Sequence, residues 1–331
     1  MENGKNLMQY KIKKISGDAS FREFYKIEKN FKSTILVKAN KDKFKNLIIY
    51  AAINELLIKN KINAPKLIQE YFSKNMMEIE NLGDHSFLEY IKNKKNKFND
   101  YKKLIKLIIK LQKIKLKKNI KFKNNKIKIN KYNLSELNKE SDLFFDWYLK
   151  NNSKKKEFKK NKNKIKEELN ILYKKLYFQG MCFVHRDFHA SNIMIKNNRF
   201  GLIDSQDAIS GNLLYDVASL IDDVRIKLPR ELKSLLFNYY LSKTTKIKNN
   251  KEKLLAKNDF DILSVQRNLK ILGIFVRLCK RDNKSIYLKY LPNIWKLLEL
   301  RLKNPIFINL RYLLNKAINK KNRKKINFND N

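Results

Sequence analysis

The chain contains the stretch His185-Arg186-Asp187-Phe188-His189-Ala190-Ser191-Asn192, and a further acidic residue, Asp204, follows it. The order is H-R-D-x-x-x-x-N, then a strand-like run, then Asp. Residues 193–195 and 200–203 are apolar runs, and residues 196–199 between them are typical of a tight turn. The pattern predicts a β-hairpin that folds Asp204 back beside Asn192.

Three polar residues of this stretch suit phosphoryl transfer, which asks a protein mainly for positioning and charge neutralisation. Asp187 can accept or orient the proton of an acceptor hydroxyl. Asn192 and Asp204 offer the oxygen ligands that Mg²⁺ prefers, and Mg²⁺ usually also binds substrate phosphates. The sequence therefore predicts an ATP- and Mg²⁺-dependent phosphotransferase.

Length and composition limit the alternatives. The 331 residues suit two domains or one large bilobal unit, and 43% hydrophobic residues are enough for a core. We find no apolar run long enough to span a membrane and no apolar signal segment at the N-terminus. The two cysteines, Cys182 and Cys279, offer neither a disulfide framework nor metal-ligand spacing, so a cytoplasmic location is expected. The sequence indicates no obligate protein partner.

The formal net charge of +43 would by itself suggest a nucleic-acid partner. The excess is mainly lysine, it accompanies abundant asparagine and isoleucine, and it is spread along the chain. These three residues share A/T-rich codons, so genome composition is a sufficient explanation. We expect no specific nucleic-acid binding, only weak attraction to polyanions that salt abolishes.

The N-terminal part predicts three short strands, at about residues 10–15, 21–28 and 34–39. Gly17 and Ser20 lie in a small-residue loop that either covers nucleotide phosphates or is a plain hairpin turn. Lys38 closes the third strand, and Glu55 falls on the inner face of the helix that follows, with Phe44, Ile48 and Ala51. Lys38 and Glu55 are expected to pair, as a strand lysine and a helix glutamate do in kinases.

A second hairpin, residues 66–71 and 75–80, is followed by the break at 81–84. This break is where a hinge between two lobes belongs, and an adenine ring would bond the backbone between Glu80 and Leu82. The domain prediction is a nucleotide-binding lobe at 1–80, the hinge at 81–84, and a catalytic and substrate-binding lobe at 85–331.

The rest of the chain reads as mostly helical. The polar runs at 112–131 and 150–163 are expected to be loop, and a helix from 165 to 178 should end before Gly180. The fold class predicted is α+β, a bilobal protein-kinase-like fold with a small N-terminal antiparallel-sheet lobe and a larger, mostly helical C-terminal lobe.

Over nearly its whole length the chain resembles the aminoglycoside phosphotransferase family, and within it the bacterial anomeric sugar kinases of cell-wall recycling. The segments that carry the resemblance are residues 17–22, 142–148, 184–194, 203–208, 215–220 and 266–275. The resemblance implies transfer of the ATP γ-phosphate to the C1 hydroxyl of N-acetylmuramate or N-acetylglucosamine. The family usually has an aromatic residue where Ser205 stands, so looser packing is expected there.

Several side chains are candidates for the sugar pocket, because acids accept sugar hydroxyls and aromatic rings stack on pyranoses. They are His189, Asp207, Asp223, Arg267, Asp146 and Trp147. Arg267 could meet a lactyl carboxylate in a two-pronged contact. His185 is expected to be structural, and Asp216 to cap a helix or anchor a loop.

Two other functions stay open at this point. The same fold could phosphorylate another small alcohol of the aminoglycoside, choline or homoserine type. The chain has 32 acids against 75 bases, which disfavours a strongly cationic acceptor. A pseudokinase that binds nucleic acid is the second alternative, and intact Asp187, Asn192 and Asp204 argue against it.

Overall fold

The computed structural model describes residues 11–15, 22–29, 32–40 and 44–324. Its strands are β1 Lys11–Ile15, β2 Glu23–Lys29, β3 Lys32–Lys38, β4 Leu67–Tyr71, β5 Met76–Glu80, β6 His85–Ser86, β7 Asn119–Phe122, β8 Asn125–Lys128, β9 Cys182–Val184, β10 Ile193–Lys196, β11 Arg199–Leu202 and β12 Ile209–Gly211. Its helices are α1 Phe44–Lys59, α2 Phe87–Lys92, α3 Phe98–Gln112, α4 Leu134–Leu143, α5 Lys150–Asn152, α6 Lys155–Lys174, α7 Tyr215–Ile221, α8 Arg230–Lys243, α9 Asn250–Asp282, α10 Leu291–Arg301 and α11 Ile308–Ala317.

The N-terminal strands form one antiparallel sheet in the order β1-β2-β3-β5-β4, which confirms the predicted strands and the second hairpin. Side chains alternate between the two faces of a strand. On β3 this places Val37 in the core while Lys38 is exposed. Helix α1 covers the same core with Leu47, Tyr50 and Ala51, so the sheet and helix bury one shared apolar face.

The chain divides into two compact units, and the smaller one contains more than the N-terminal sheet. It continues to Asn93 and also includes residues 117–129 and 191–208. β10 pairs with both β11 and β6, which joins the second of these segments to the unit. Gly83 permits a close backbone approach, because a Cβ there would lie 2.6 Å from the Ile195 carbonyl oxygen. The predicted boundary at 81–84 stays a prediction.

The larger unit consists of residues 94–116, 130–190 and 209–331, so far as they are described. The long helix α9 packs against α4, α7 and α10, and against a π-helical turn at Phe144–Leu149. Gly273 makes that last contact possible, because a Cβ there would lie 2.1 Å from the Leu143 carbonyl oxygen. Helix α9 therefore forms the centre of this unit.

Two loop predictions are wrong. Residues 112–131 contain the β7–β8 hairpin, in which Ile120 pairs with Ile127 and Phe122 is buried. The run at 150–163 is helical at Lys150–Asn152 and again from Lys155 onward, and α6 begins ten residues before its first buried side chain, Ile165. In both segments the many lysines obscure the hydrophobic periodicity that would predict a strand or a helix. Among the described residues, no helix has the length and apolarity needed to cross a membrane.

Candidate active site

The hairpin that carries two of the predicted site residues is confirmed. β10 and β11 pair in antiparallel register, and the turn residues Asn197 and Asn198 have φ of 49° and 57°. Two left-handed residues are what a tight hairpin turn requires, and asparagine tolerates them. The Ile203 N–H donates to the Asn192 carbonyl at 3.1 Å, so Asp204 directly follows a residue bonded to Asn192.

Helix α1 holds the turn that begins at Asp204. Asp204 has φ of 65°, a left-handed conformation that costs about 1–3 kcal/mol and persists only where the surrounding contacts stabilise it. Its N–H donates to the Tyr50 hydroxyl oxygen at 3.2 Å, and the Ser205 hydroxyl donates to Asn54 Oδ1 at 2.6 Å. Burial raises the pKa of Tyr50 to about 12. Ser205 is fully buried and bonded, so the predicted loosening of packing there is wrong.

The Asp204 carboxylate forms an ion pair with Arg22, which lies just before β2. The Arg22 side chain is only 3% exposed, whereas that of Asp204 is 33% exposed. Arg22 Nη1 also donates to Gln206 Oε1 at 2.8 Å. The Phe24 and Tyr50 ring centres lie 5.6 and 5.4 Å from the guanidinium carbon, within cation–π range. A buried guanidinium is thus fixed on the predicted metal ligand.

The predicted ion pair between Lys38 and Glu55 is wrong. Glu55 pairs with Lys59 one helical turn later, and its side chain is 42% exposed. Lys38 is exposed and lies opposite Glu23 in the sheet. In the part of the chain that the structure describes, no ion pair or hydrogen bond joins Lys38 to Glu55. The nearer lysine at i+4 satisfies the carboxylate, as neighbouring charges on a helix commonly do.

The predicted adenine-binding segment is held to the hairpin. The Asn81 carbonyl, between Glu80 and Leu82, accepts a hydrogen bond from Lys196 Nζ at 2.8 Å. The Leu82 side chain is buried. A nucleotide contact at this backbone stays a prediction. Two further predicted nucleotide-binding residues, Gly17 and Ser20, lie outside the described residues.

In the larger unit, Asp216 anchors the loop that carries Asp187, as predicted. Its carboxylate accepts the backbone N–H of His185 at 2.7 Å and that of Arg186 at 3.1 Å. Burial raises the pKa of Asp216 to about 7, against the opposing effect of these N–H groups. Because Asp216 lies on α7, the loop is fixed to a helix of the core.

Glu140, from α4, forms the centre of a buried network under the same loop. Its carboxylate accepts from Arg186 Nη2 at 2.5 Å, from Lys270 Nζ at 2.8 Å and from Gln266 Nε2 at 2.9 Å. The Tyr132 hydroxyl donates to it as well. Burial alone would raise the pKa of Glu140, but the charges of Lys270 and Arg186 lower it below its ordinary value. The network fixes Arg186, whose φ of 73° is also left-handed.

Asp187 is half-buried, and a cation, Arg267, lies near it within the same unit. Arg267 donates from Nη1 to the Arg186 carbonyl at 3.1 Å. Burial by itself would lower the pKa of Arg267, yet the pKa is raised, because interactions with Tyr215 and with the charge of Asp187 outweigh burial. Arg267 and Asp187 therefore lie close enough in this unit to interact electrostatically.

Two candidates for the sugar pocket have surroundings that define their chemistry. The pKa of His189 is well below its usual value because of burial and the charges of Arg225 and Arg267, so its ring is neutral. Asp223 accepts the backbone N–H groups of Ala190 and Arg225, each at 3.0 Å. Both oxygens of Asp223 are thus engaged, which favours an anchoring role over a contact with a sugar.

The other candidates are distributed between the units. Asp146 is 54% exposed and pairs with Lys162 at 2.8 Å, and Trp147 beside it is partly buried. Asp207 is exposed, belongs to the smaller unit and accepts from Gln206 Nε2 at 2.9 Å. Their contacts with a sugar stay predictions.

The donor set on the hairpin fits Mg²⁺. An amide oxygen from Asn192 and a partly exposed carboxylate from Asp204 are hard oxygen ligands. Among the described residues, no group of three or more His, Cys, Asp or Glu could hold a metal alone. Mg²⁺ does not need such a group, since it usually combines one or two carboxylates with substrate phosphates and water.

Sequence reasoning missed Arg22, Tyr50, Asn54 and Glu140 as site residues. Each acts through a tertiary contact with a residue that the motif had identified. One indirect signal was available: Arg22 is an arginine in a chain whose cations are mostly lysine. That signal does not identify a partner, and nothing in the local sequence distinguishes Glu140 from Glu136 and Asp142 on the same helix.

The fold and these motifs define a phosphotransferase, and comparison with known proteins confirms it. The profile of the phosphotransferase enzyme family, APH, matches residues 11–249, and the chain belongs to this family. The predicted protein-kinase-like fold is likewise confirmed. Ethanolamine kinase from Plasmodium vivax superposes with a TM-score of 0.60 at 14% identity, covering 91% of this chain and 84% of that one.

An ADP-bound aminoglycoside phosphotransferase, APH(2'')-Ib, superposes with a TM-score of 0.56 at 16% identity, covering 92% of this chain and 96% of that one. Among curated proteins, the chain is similar to the N-acetylmuramate/N-acetylglucosamine kinases of Pseudomonas aeruginosa and Pseudomonas putida. The first is 26% identical over 86% of this chain and 81% of the relative. The second is 25% identical over 85% of this chain and 80% of the relative.

Proposed function

We propose that this protein is an ATP- and Mg²⁺-dependent kinase of amino sugars, which transfers the γ-phosphate to the anomeric C1 hydroxyl of N-acetylmuramate or N-acetylglucosamine. The observation that carries the proposal is the rigid loop around Asp187, fixed by Asp216 and by the Arg186–Glu140 pair. The names of the curated relatives support the choice of acceptor.

In this proposal Asp187 orients the acceptor hydroxyl and takes its proton. The anomeric hydroxyl is more acidic than other sugar hydroxyls, so one aspartate is a sufficient base. Asn192 and Asp204 would hold Mg²⁺, which when bound neutralises charge on the nucleotide phosphates. A cytoplasmic location and the absence of a specific nucleic-acid partner stay predictions.

Arg267 favours an acidic acceptor over a cationic one. Arg186 and Lys270 pair with Glu140, whereas Arg267 donates to the Arg186 carbonyl and lies within electrostatic reach of Asp187. A guanidinium can pair with the lactyl carboxylate of N-acetylmuramate, and it gives no such contact to an aminoglycoside or choline.

An acceptor screen tests this choice. ADP release would be measured with Mg²⁺-ATP and equal concentrations of N-acetylglucosamine, N-acetylmuramate, an aminoglycoside, choline and homoserine. We expect kcat/KM to be highest for the two amino sugars. ADP release without any acceptor provides the background rate. A higher kcat/KM for the aminoglycoside or choline would contradict the proposed acceptor, but not the assignment of the chain to the phosphotransferase family.

A further inference from the structure

A buried cation, Arg22, contacts the turn that begins at Asp204, whereas the kinase pattern predicts that the functional cation is Lys38. The expected cation was Lys38, supported by Glu55, but Lys38 is exposed and Glu55 pairs with Lys59. Arg22 instead lies on the Asp204 carboxylate, with Gln206 as a second acceptor. All of these residues belong to the smaller unit.

We propose that Arg22, rather than Lys38, is the cation that positions Asp204 and compensates its charge beside the nucleotide phosphates. This inference rests on the proposed function, since it takes Asp204 to be the residue that reaches metal and phosphate. A carboxylate beside a polyphosphate repels it unless a cation compensates both. Arg22 already contacts that carboxylate, so it is placed to compensate the phosphates as well.

The surroundings of Arg22 suit this role because they fix the guanidinium before any ligand binds. The Phe24 and Tyr50 rings lie within cation–π distance, and Gln206 accepts from Nη1. The planar guanidinium offers donors in a rigid fork that matches carboxylate and phosphate geometry. Preorganised donors of this kind cost little reorganisation when charge arrives. An exposed lysine on a flexible stem lacks this advantage.

The test is ADP binding by isothermal calorimetry, which requires no turnover. Four proteins would be compared, each in EDTA and in Mg²⁺: the wild type, Arg22→Met, Arg22→Lys and Lys38→Met. We expect Arg22→Met to weaken ADP binding in EDTA about 10- to 100-fold, the range for loss of a hydrogen bond to a charged group. In Mg²⁺ the loss should be smaller, because the metal then compensates Asp204.

The matched variants make the role of Arg22 separable from a structural one. Arg22→Lys keeps the positive charge but lacks the planar guanidinium with its parallel donors. Its affinity for ADP should therefore lie between those of the wild type and Arg22→Met. Lys38→Met should bind ADP as the wild type does. If Arg22→Met does not fold, the ADP affinities of Arg22→Lys and Lys38→Met, each compared with the wild type, test the inference.

Three outcomes would overturn the inference. The first is unchanged ADP affinity in the Arg22 variants, including the case in which only their thermal stability falls. The second is a loss in Lys38→Met and none in Arg22→Lys. The third is a wild-type protein that binds no ADP in either condition. This result would overturn the proposed function together with the inference about Arg22. The first two outcomes would leave the proposed function standing.

Discussion

Replacing Asp187 by asparagine is expected to lower kcat about 10²- to 10⁴-fold, the usual contribution of a positioned general base. The substitution preserves the shape of the side chain and removes its ability to take a proton. Nucleotide affinity and thermal stability should change little, because Asp216 and the Arg186–Glu140 pair fix the loop. The measurement is steady-state turnover with N-acetylglucosamine at saturating Mg²⁺-ATP.

Asp282→Asn is the matched control for this experiment. Asp282 lies at the end of α9 and pairs with its neighbour Arg281. It should turn over as the wild type does. A kcat near the wild-type value for Asp187→Asn would show that another group takes the proton.

Replacing Glu140 by glutamine is expected to destabilise the fold by about 3–5 kcal/mol, the cost of breaking a buried ion pair by removing one partner. The side chain of Glu140 is 6% exposed and compensates both Arg186 and Lys270. A neutral amide would leave two partly buried cations without this counter-charge. Urea unfolding, followed by circular dichroism, measures the change in the free energy of unfolding.

Glu136→Gln on the same helix is the control for the Glu140 variant. Glu136 pairs with Lys139, but the glutamate side chain is 31% exposed and that of the lysine 68%. Exposed pairs contribute about 0–1 kcal/mol, so Glu136→Gln should unfold close to the wild type. Equal effects of the two substitutions would mean that burial of the Glu140 network does not determine its contribution.

The local parts of the site could be predicted from the sequence because their contacts lie close together along the chain. Turn residues between two apolar runs were sufficient to place Asn192 and Asp204 at the base of one hairpin. The Asp216 anchor was foreseen only as one of two possibilities, since a cap and a loop anchor have the same local sequence.

The contacts that cross the fold could not be predicted in this way. Arg22 and Asp204 are separated by most of the smaller unit's sequence, and only the assembled sheet and α1 bring them together. The Lys38–Glu55 prediction transferred a pattern from kinases, and it failed because alternation along β3 turns Lys38 outward while Lys59 neutralises Glu55. In a chain this rich in lysine, residue type alone does not select the functional cation.

The position of the transferred phosphate tests the central claim most directly. Phosphorus NMR would be recorded on the products formed from ATP with N-acetylglucosamine and with N-acetylmuramate. The sugar alcohol that results from reduction at C1 would serve as the control acceptor. We expect a sugar 1-phosphate from either amino sugar and no product from the reduced sugar. Phosphate on another carbon, or equal turnover of the reduced sugar, would contradict anomeric phosphorylation.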